Sequence, residues 1–250
     1  MILKKWESLP ENMKSREVYE YYLALKKKTA MLFFKRLADI VISLVLLILL
    51  LPLFLILSLM IKIDSRGPVF YRQERITQYG KKFRIHKFRT MRVDADKGSL
   101  VTLSDDERIT GVGRLIRKCR LDELSQLIDV LFGSMTLVGT RPEVARYVEE
   151  YTPEMMATLL LPAGITSEAS VYYKDEAEML DGAEDADLVY VRDILPKKMA
   201  HNLNGLKKCG FIYDMRVVFM TVLCMFGKKY GDAAVTASPS KTAVGATKDE

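Results

Sequence analysis

The stretch that decides the fold reads LADIVISLVLLILLLPLFLILSLMI and runs from Leu37 to Ile61. Asp39 is its only charged residue. At about 1.5 Å per residue, a straight helix of this length could cross a hydrocarbon layer of about 30 Å. Pro52 removes the backbone hydrogen bond to the carbonyl of Ile48, which predicts a bend. The stretch therefore predicts a bent helical element that belongs in a membrane.

Basic residues flank this stretch on both sides. They are Lys26, Lys27, Lys28, Lys35 and Arg36 before it, and Lys62, Arg66, Arg72 and Arg75 after it. A helix that spans once normally carries its excess of Lys and Arg on the cytoplasmic side only, whereas two basic flanks are easiest to place at one anionic face. We therefore favour a re-entrant helical hairpin over 37–61, with Asp39 at headgroup depth. A single span is the alternative.

Residues 1–36 predict an amphipathic interfacial helix. Asn12 or Ser15 could cap it. Its apolar residues recur at helical spacing among lysines, namely Val18, Tyr21, Tyr22, Leu25 and Leu32. A helix that docks on the protein itself is the alternative.

The composition favours an anionic partner. The chain has 250 residues, of which 49% are hydrophobic and 28% charged, and its net charge is +6. Such a balance suits nucleic acid, an anionic membrane surface or a phosphorylated substrate. The three cysteines, Cys119, Cys209 and Cys224, are widely spaced and unpaired, so they predict neither a zinc site nor a disulfide framework.

A β-hairpin is predicted after the apolar stretch, within a domain over 62–230. Gly67-Pro68 marks a turn, and Val69–Arg72 and Lys82–Lys87 alternate apolar and charged residues around Gly80. From 71 to 92, cations alternate with aromatic residues, a pattern that suits single-stranded nucleic acid or phosphates at a membrane surface.

Helices are predicted for most of the remaining chain. The predicted spans are a helical region from Ser104, one helix or a pair over Arg114–Phe132, and further helices from Pro142 toward Tyr151, over Pro153–Leu161, Pro196–Lys208 and Phe211–Phe226. The acidic segment Lys174–Asp187 is expected to be exposed. The polar tail over 231–250 is expected to be disordered.

Two adjacent carboxylates follow three cations within Arg117–Leu124. Such a cluster is often a solvated helix face with ion pairs. Arg141, in a tight turn, and Lys87 and Arg89, in the hairpin, can reach the same region, which favours phosphate chemistry. A carboxylate that attacks a diphosphate needs Mg²⁺ and arginines to neutralise the phosphates.

Other catalytic motifs are absent from the sequence. It has no GxxxxGK[ST] loop, no GxGxxG after a strand and no HExxH. The two histidines, His86 and His201, lie far apart and are more typical of structural or exposed residues than of metal ligands.

Several short motifs occur together in the order typical of one family. They are Lys35-Arg36-Leu37-Ala38-Asp39, the apolar hairpin with Pro52, Gly67-Pro68-Val69-Phe70, Gln73-Glu74-Arg75, Lys87-Phe88-Arg89-Thr90-Met91, Arg117, Leu121-Asp122-Glu123-Leu124-Ser125-Gln126-Leu127 and Val138-Gly139-Thr140-Arg141-Pro142. From about residue 33 to 226 the chain resembles the bacterial sugar transferases, the monotopic polyprenyl-phosphate sugar-1-phosphate transferases.

This resemblance implies a site and a reaction. Asp122 would be the nucleophile and a Mg²⁺ neighbour, and Glu123 would complete the acidic dyad and share the metal. Phosphate binding would fall to Arg75, Lys87, Arg89, Arg117 and Arg141. The implied partners are a UDP-sugar, polyprenyl (undecaprenyl) phosphate and anionic lipids, with no nucleic acid, and UMP would be released through an aspartyl phospho-sugar intermediate.

The implied fold is mainly α with a short β-hairpin. A re-entrant membrane helix hairpin and amphipathic interfacial helices would surround a small catalytic domain on the cytoplasmic face of the bacterial inner membrane. The sequence departs from the family pattern at Leu51, where Ser usually precedes Pro52, and over Leu161–Ser167. The sugar, the glycan pathway and any homo-oligomer stay open, and a non-catalytic, membrane-attached binding or scaffold protein is the alternative.

Overall fold

The structure, a computed structural model, describes residues 1, 3–93, 106–180 and 185–230. Its helices are α1 (Arg16–Lys26), α2 (Thr29–Leu49), α3 (Leu51–Asp64), α4 (Gly111–Lys118), α5 (Gln126–Phe132), α6 (Ala145–Val148), α7 (Glu168–Tyr172), α8 (Glu176–Leu180), α9 (Ala186–Val189), α10 (Leu195–Lys208) and α11 (Phe211–Met225). Its strands are β1 (Phe70–Ile76), β2 (Lys82–Phe88), β3 (Met135–Val138) and β4 (Ala163–Thr166). The predicted disorder over 231–250 and the predicted helix start at Ser104 fall outside the described residues.

The apolar stretch forms the bent pair α2–α3. The two helices meet at Leu50 at an angle of 62°, and among the described residues no single helix is long and apolar enough to cross a membrane. Pro52 lies in the first turn of α3, where its missing N–H leaves no hydrogen bond unmade. The bend predicted from Pro52 is confirmed.

One side of the α2–α3 pair packs on the protein and the other does not. Phe54, Leu57 and Ile61 of α3 are buried against Phe88 of β2 and Ile116 of α4. On the other side, large apolar side chains are more than half exposed, among them Phe34, Ile48, Leu49, Leu55, Leu59 and Ile63. The pair thus presents an apolar surface that the described residues do not cover.

The basic residues that open α2 tie it to the rest of the protein. Lys35 forms a partly buried ion pair of 2.6 Å with Asp214 of α11. Arg36 donates hydrogen bonds to the carbonyls of Val130 and Leu131, near the end of α5. Two of the cations predicted to flank the membrane element therefore make internal contacts instead of facing solvent.

The N-terminal segment differs from the predicted interfacial helix over 1–36. Ser15 caps α1 by accepting a hydrogen bond from the N–H of Val18, as the sequence predicts, but α1 ends at Lys26. Its apolar face is buried in the protein, against the 3₁₀ turn Met155–Leu160 and α10. A face already covered by protein is not available to lipid, so for this face of α1 the structure favours the docking alternative.

Two small sheets complete the fold. β1 and β2 form the predicted antiparallel hairpin, in register from Phe70 opposite Phe88 to Ile76 opposite Lys82. β3 and β4 form a parallel pair that the sequence analysis did not predict. The backbones of Gly139 and Gly164 approach so closely beside this pair that a Cβ on Gly164 would lie 2.2 Å from Gly139.

The helical predictions hold best near the C-terminus. α10 and α11 lie within one residue of their predicted bounds, and the 114–132 segment is a pair of helices, α4 and α5. The helix predicted from Pro142 is reduced to the single turn α6, and a 3₁₀ turn occupies most of Pro153–Leu161. The mainly helical architecture with a hairpin is confirmed.

Candidate active site

The adjacent carboxylates lie on a short 3₁₀ turn, Leu121–Glu123, between α4 and α5. Arg120, just before the turn, has a left-handed backbone with φ of +53°. This conformation is uncommon for a residue with a side chain. It separates α4 from the turn, and the side chains of Asp122 and Glu123 line a pocket of about 430 Å³, a size typical of small-molecule sites.

Glu123 is held by two cations from distant parts of the chain. Arg141 donates from both terminal nitrogens to the two carboxylate oxygens, and Lys87 Nζ lies 3.4 Å from Oε1. Burial opposes ionisation of Glu123, but the charges of Arg141 and Lys87 outweigh it and lower the pKa of this carboxyl. Glu123 is therefore a carboxylate whose charge is already compensated.

Asp122 is in a different state from its neighbour. Its carboxylate accepts no hydrogen bond from the described residues, although it lines the same pocket. Burial raises the pKa of Asp122, the charge of Lys87 opposes this shift and that of Glu123 reinforces it. Asp122 is thus the carboxylate of the pair that remains available to a ligand.

Four of the five cations predicted to bind phosphate line this pocket: Arg75, Lys87, Arg117 and Arg141. Arg117 Nε donates a 2.9 Å hydrogen bond to Thr90 Oγ1. Arg75 donates to Gln73 Oε1 and, at 3.3 Å, to the carbonyl of Pro142. Residues separated by up to 66 positions in the sequence therefore meet around the dyad.

Arg89 is the exception among the five predicted cations. Its side chain is 4% exposed and does not line the pocket. The guanidinium donates instead to the carbonyls of Ser65 and Arg66, just beyond the end of α3. Side chains two positions apart on a strand share a face, but Arg89 lies beyond the end of β2 and binds the backbone that follows α3 instead.

The far wall of the pocket carries a network that the sequence analysis missed. Lys198 Nζ donates to Glu176 Oε2 at 2.8 Å and to Tyr190 Oη at 3.0 Å, and Tyr190 Oη donates to Glu143 Oε1 at 2.7 Å. The π-helical turn Tyr190–Ile194 positions the tyrosine. A rare π turn is often found at functional sites.

The sequence held only one usable indication of this wall. That indication is Glu143, which directly follows the predicted site motif Arg141-Pro142. Lys198 offers none, because it lies in an ordinary amphipathic helix. The acidic segment that was expected to be exposed contributes Glu176 and Leu180 to the pocket, and Leu180 is 2% exposed. Leu180 does not meet that expectation, because it packs with Leu195 and Met199 of α10, which lie far from it in the sequence.

The donor set is compatible with Mg²⁺. No group of three or more His, Cys, Asp or Glu side chains that could hold a metal occurs among the described residues. Mg²⁺ does not need one, since it is usually bound by one or two carboxylates together with substrate phosphates and waters. Asp122, with Glu123 beside it, fits that description.

An available carboxylate beside a neutralised one, within a ring of cations, suits an enzyme that acts on a phosphorylated substrate. The family model described as bacterial sugar transferase matches residues 30–228. The chain belongs to this family.

Three relatives show the range of the family. The UDP-glucose:undecaprenyl-phosphate glucose-1-phosphate transferase of Klebsiella pneumoniae is 33% identical over 201 residues, which cover 78% of this chain and 41% of that protein. The enzyme of the same name from Caulobacter vibrioides is 33% identical over 192 residues, 75% of this chain and 68% of that protein.

The third relative differs in its sugar. The UDP-N-acetylgalactosamine-undecaprenyl-phosphate N-acetylgalactosaminephosphotransferase of Aeromonas hydrophila is 32% identical over 221 residues, 86% of this chain and 49% of that protein. The chain therefore spans less than half the length of the Klebsiella and Aeromonas proteins. Relatives of similar identity therefore include both a glucose and an N-acetylgalactosamine enzyme.

Proposed function

We propose that this chain transfers a sugar 1-phosphate from a UDP-sugar to polyprenyl phosphate. The observation that carries the proposal is the contrast within the dyad: Asp122 is available in the cationic pocket, while Arg141 and Lys87 neutralise Glu123. The names of the relatives supply the substrate classes, a UDP-sugar and undecaprenyl phosphate.

In the first step, a carboxylate oxygen of Asp122 attacks the phosphorus that carries the sugar. A phosphorus–oxygen bond to Asp122 forms as the bond to the bridging oxygen breaks, and UMP leaves with that oxygen and its electron pair. Lys87, Arg117 and Arg141 offset the negative charge that would otherwise repel the attacking carboxylate.

In the second step, a phosphate oxygen of polyprenyl phosphate attacks the same phosphorus. The bond to Asp122 breaks, the carboxylate is restored, and the product is a polyprenyl-diphosphate sugar. Mg²⁺ held by Asp122 and Glu123 with phosphate oxygens would supply further charge neutralisation.

The α2–α3 pair would place this pocket at a lipid surface. We propose that the pair re-enters the cytoplasmic leaflet of the bacterial inner membrane without crossing it. Support comes from its 62° bend, its uncovered apolar side and the basic residues at both ends. Anionic lipids would bind those basic residues that make no internal contact.

The experiment that tests the function is UMP release by purified protein from a panel of UDP-sugars, with Mg²⁺ and undecaprenyl phosphate. Wild type should release UMP from at least one donor, and Asp122→Asn should not. Asp193→Asn, at an exposed carboxylate paired with Arg192 outside the pocket, is the matched control and should match wild type.

A second measurement separates the covalent route from direct transfer. With labelled UMP and no polyprenyl phosphate, a phospho-aspartyl intermediate exchanges label into the UDP-sugar, and Asp122→Asn abolishes this exchange. Transfer without exchange would contradict the aspartyl intermediate. Folded protein that binds the membrane but releases no UMP from any donor would favour the scaffold alternative.

A further inference from the structure

Asp129 and His86 form a partly buried pair beside the dyad that the proposed reaction does not use. Asp129, on α5, is 4% exposed. Its Oδ2 accepts a 2.8 Å hydrogen bond from the backbone N–H of His86 on β2, and its Oδ1 lies 2.8 Å from Nδ1 of the same residue. One carboxylate therefore fixes both the backbone and the ring of His86.

The surroundings of the ring define its protonation. A carboxylate only accepts hydrogen bonds, so Nδ1 of His86 must be the donor to Asp129. The other ring nitrogen, Nε2, lies 2.6 Å from Nη1 of Arg72. A guanidinium only donates, so Nε2 must accept. The contacts are consistent with a neutral ring that carries its proton on Nδ1.

The pair connects directly to the active site. Ser125 Oγ donates a 3.1 Å hydrogen bond to the carbonyl of His86, so the segment that follows the dyad holds His86 at both its N–H and its carbonyl. The next residue of β2 is Lys87, whose Nζ lies 3.4 Å from Glu123. Wherever His86 is held, the backbone of Lys87 is held too.

We propose that Asp129 is a positioning residue that acts through Lys87. By fixing the peptide and ring of His86 against α5, it sets where the Lys87 ammonium stands relative to Glu123 and to the donor diphosphate. This inference rests on the proposed function, because its kinetic test needs the transfer reaction.

An amide in place of the Asp129 carboxylate should disturb this arrangement without a change of volume. In Asp129→Asn the amide NH₂ faces one of the two donors of His86. If this donor is the ring, the ring can adapt only by moving its proton to Nε2. Nε2–H and the guanidinium of Arg72 would then be two donors facing each other. Displacement of a catalytic group by about 1 Å can cost up to about 100-fold in rate, so kcat should fall by about 10- to 100-fold.

The ring proton can be observed without any activity. The chain has only two histidines, His86 and His201, so His201→Gln leaves a single imidazole for ¹⁵N spectroscopy. We expect a neutral Nδ1–H ring in that protein and a shift toward Nε2–H in the Asp129→Asn version. A ring whose Nδ1 carries no proton would overturn the inference even if UMP is released normally.

A double-mutant cycle tests whether the effect passes through Lys87. In a Lys87→Met background, Asp129→Asn should change UMP release by no more than about twofold, since there is no ammonium left to position. Asp214→Asn is the matched control. It breaks the partly buried ion pair with Lys35. Neither of these residues lines the pocket that contains Lys87, so its effect should multiply with that of Lys87→Met.

Two further variants keep the test decisive if Asp129→Asn folds poorly. Ser125→Ala removes the 3.1 Å hydrogen bond to the His86 carbonyl, together with a longer one of 3.4 Å to the carbonyl of Asp122. It should show the same non-additivity with Lys87→Met. Arg72→Gln offers an amide oxygen to an Nε2–H ring, so it should restore part of the activity of Asp129→Asn. Effects of Asp129 and Ser125 that multiply with Lys87→Met would mean a merely structural role and would overturn the proposal.

Discussion

The carboxylate of Asp39, inside the apolar helix α2, accepts a 2.6 Å hydrogen bond from the hydroxyl of Thr136 on β3. Its second oxygen accepts a 3.3 Å hydrogen bond from the backbone N–H of Leu137. The side chains of Asp39 and Thr136 are both buried. The single charge of the apolar stretch is therefore an attachment between the bent helix pair and the sheet beside the active site.

Thr136→Val should weaken this attachment measurably. The substitution keeps the shape of the side chain but removes a hydrogen bond to a charged group, which typically contributes about 1.5–3 kcal/mol. Thr158→Val is the control, because Thr158 is equally buried but donates only to the nearby carbonyl of Met155. Denaturation in detergent should show the larger loss of unfolding free energy for Thr136→Val, and equal losses would contradict the role of Asp39.

Asp122→Asn should stabilise the protein while it abolishes activity. Burial raises the pKa of Asp122, so the folded protein holds this proton more tightly than the unfolded chain does. Ionisation of Asp122 therefore costs stability as the pH rises through the raised pKa. The variant should melt at a higher temperature than wild type near pH 7.5, and the gain should disappear near pH 4.

Asp193→Asn serves as the control for that measurement. Asp193 is exposed and its pKa is lowered by the hydrogen bond from Arg192, so its replacement should bring no gain at neutral pH. A stabilisation of Asp122→Asn that grew toward acid pH would reverse the assigned direction of the pKa shift.

The acid limb of the activity profile should move when Glu123 is neutralised. Asp122 must be ionised to attack, so the rate falls as the pH falls through its pKa. The charge of Glu123 helps to raise that pKa, and Glu123→Gln removes it while leaving Lys87 and Arg141 unpaired. The residual kcat/KM of Glu123→Gln should therefore begin to fall at a lower pH than the kcat/KM of wild type. If the acid limb stayed at the same pH, a group other than Asp122 would be responsible for it.

Arg89 and Arg117 should behave differently although both were predicted to bind phosphate. Arg117→Lys should lower kcat/KM for the UDP-sugar by about 10- to 100-fold, which corresponds to about 1.5–3 kcal/mol for a lost charge-assisted hydrogen bond. Arg89→Lys should leave the KM for the UDP-sugar unchanged and lower the melting temperature, because Arg89 donates to carbonyls beyond α3. A raised KM in Arg89→Lys would restore the original assignment.

The features that the sequence predicted correctly have local causes. The bend depends on Pro52 and its own helix, the hairpin depends on alternation around Gly80, and the cap of α1 depends on Ser15 and a residue three positions on. Each is decided within about one or two turns of chain. The approach of Lys87 and Arg141 to the dyad was predicted from the hairpin and the tight turn. The roles of these residues and of Arg117 in phosphate binding were predicted through the family resemblance.

The features that the sequence did not predict depend on long-range packing. Nothing in the pattern of α1 distinguishes a face that meets lipid from one that meets the 3₁₀ turn Met155–Leu160, since both partners are apolar. The wall formed by Lys198, Tyr190 and Glu176 likewise requires three elements to fold together. A cation such as Arg89, two residues beyond Lys87, can serve a different structure because the strand ends between them.

The membrane topology is open to a direct test with cysteine labelling in intact cells. Cys119 is exposed beside the dyad, Cys209 is buried and Cys224 is intermediate. Cys224→Ser would therefore leave Cys119 as a native probe of the catalytic side, and Ser8→Cys, in a Cys119→Ser/Cys224→Ser background, would probe the N-terminal side. Leu50→Cys in that background would report on the bend.

Re-entry predicts that a membrane-impermeant reagent labels none of the three cysteines from outside the cell. After the membrane is opened, the reagent should label Cys119 and Ser8→Cys but not Leu50→Cys. Labelling of Cys119 and Ser8→Cys from opposite sides would mean that α2–α3 crosses the bilayer, which the 62° bend makes a poor geometry for a single span.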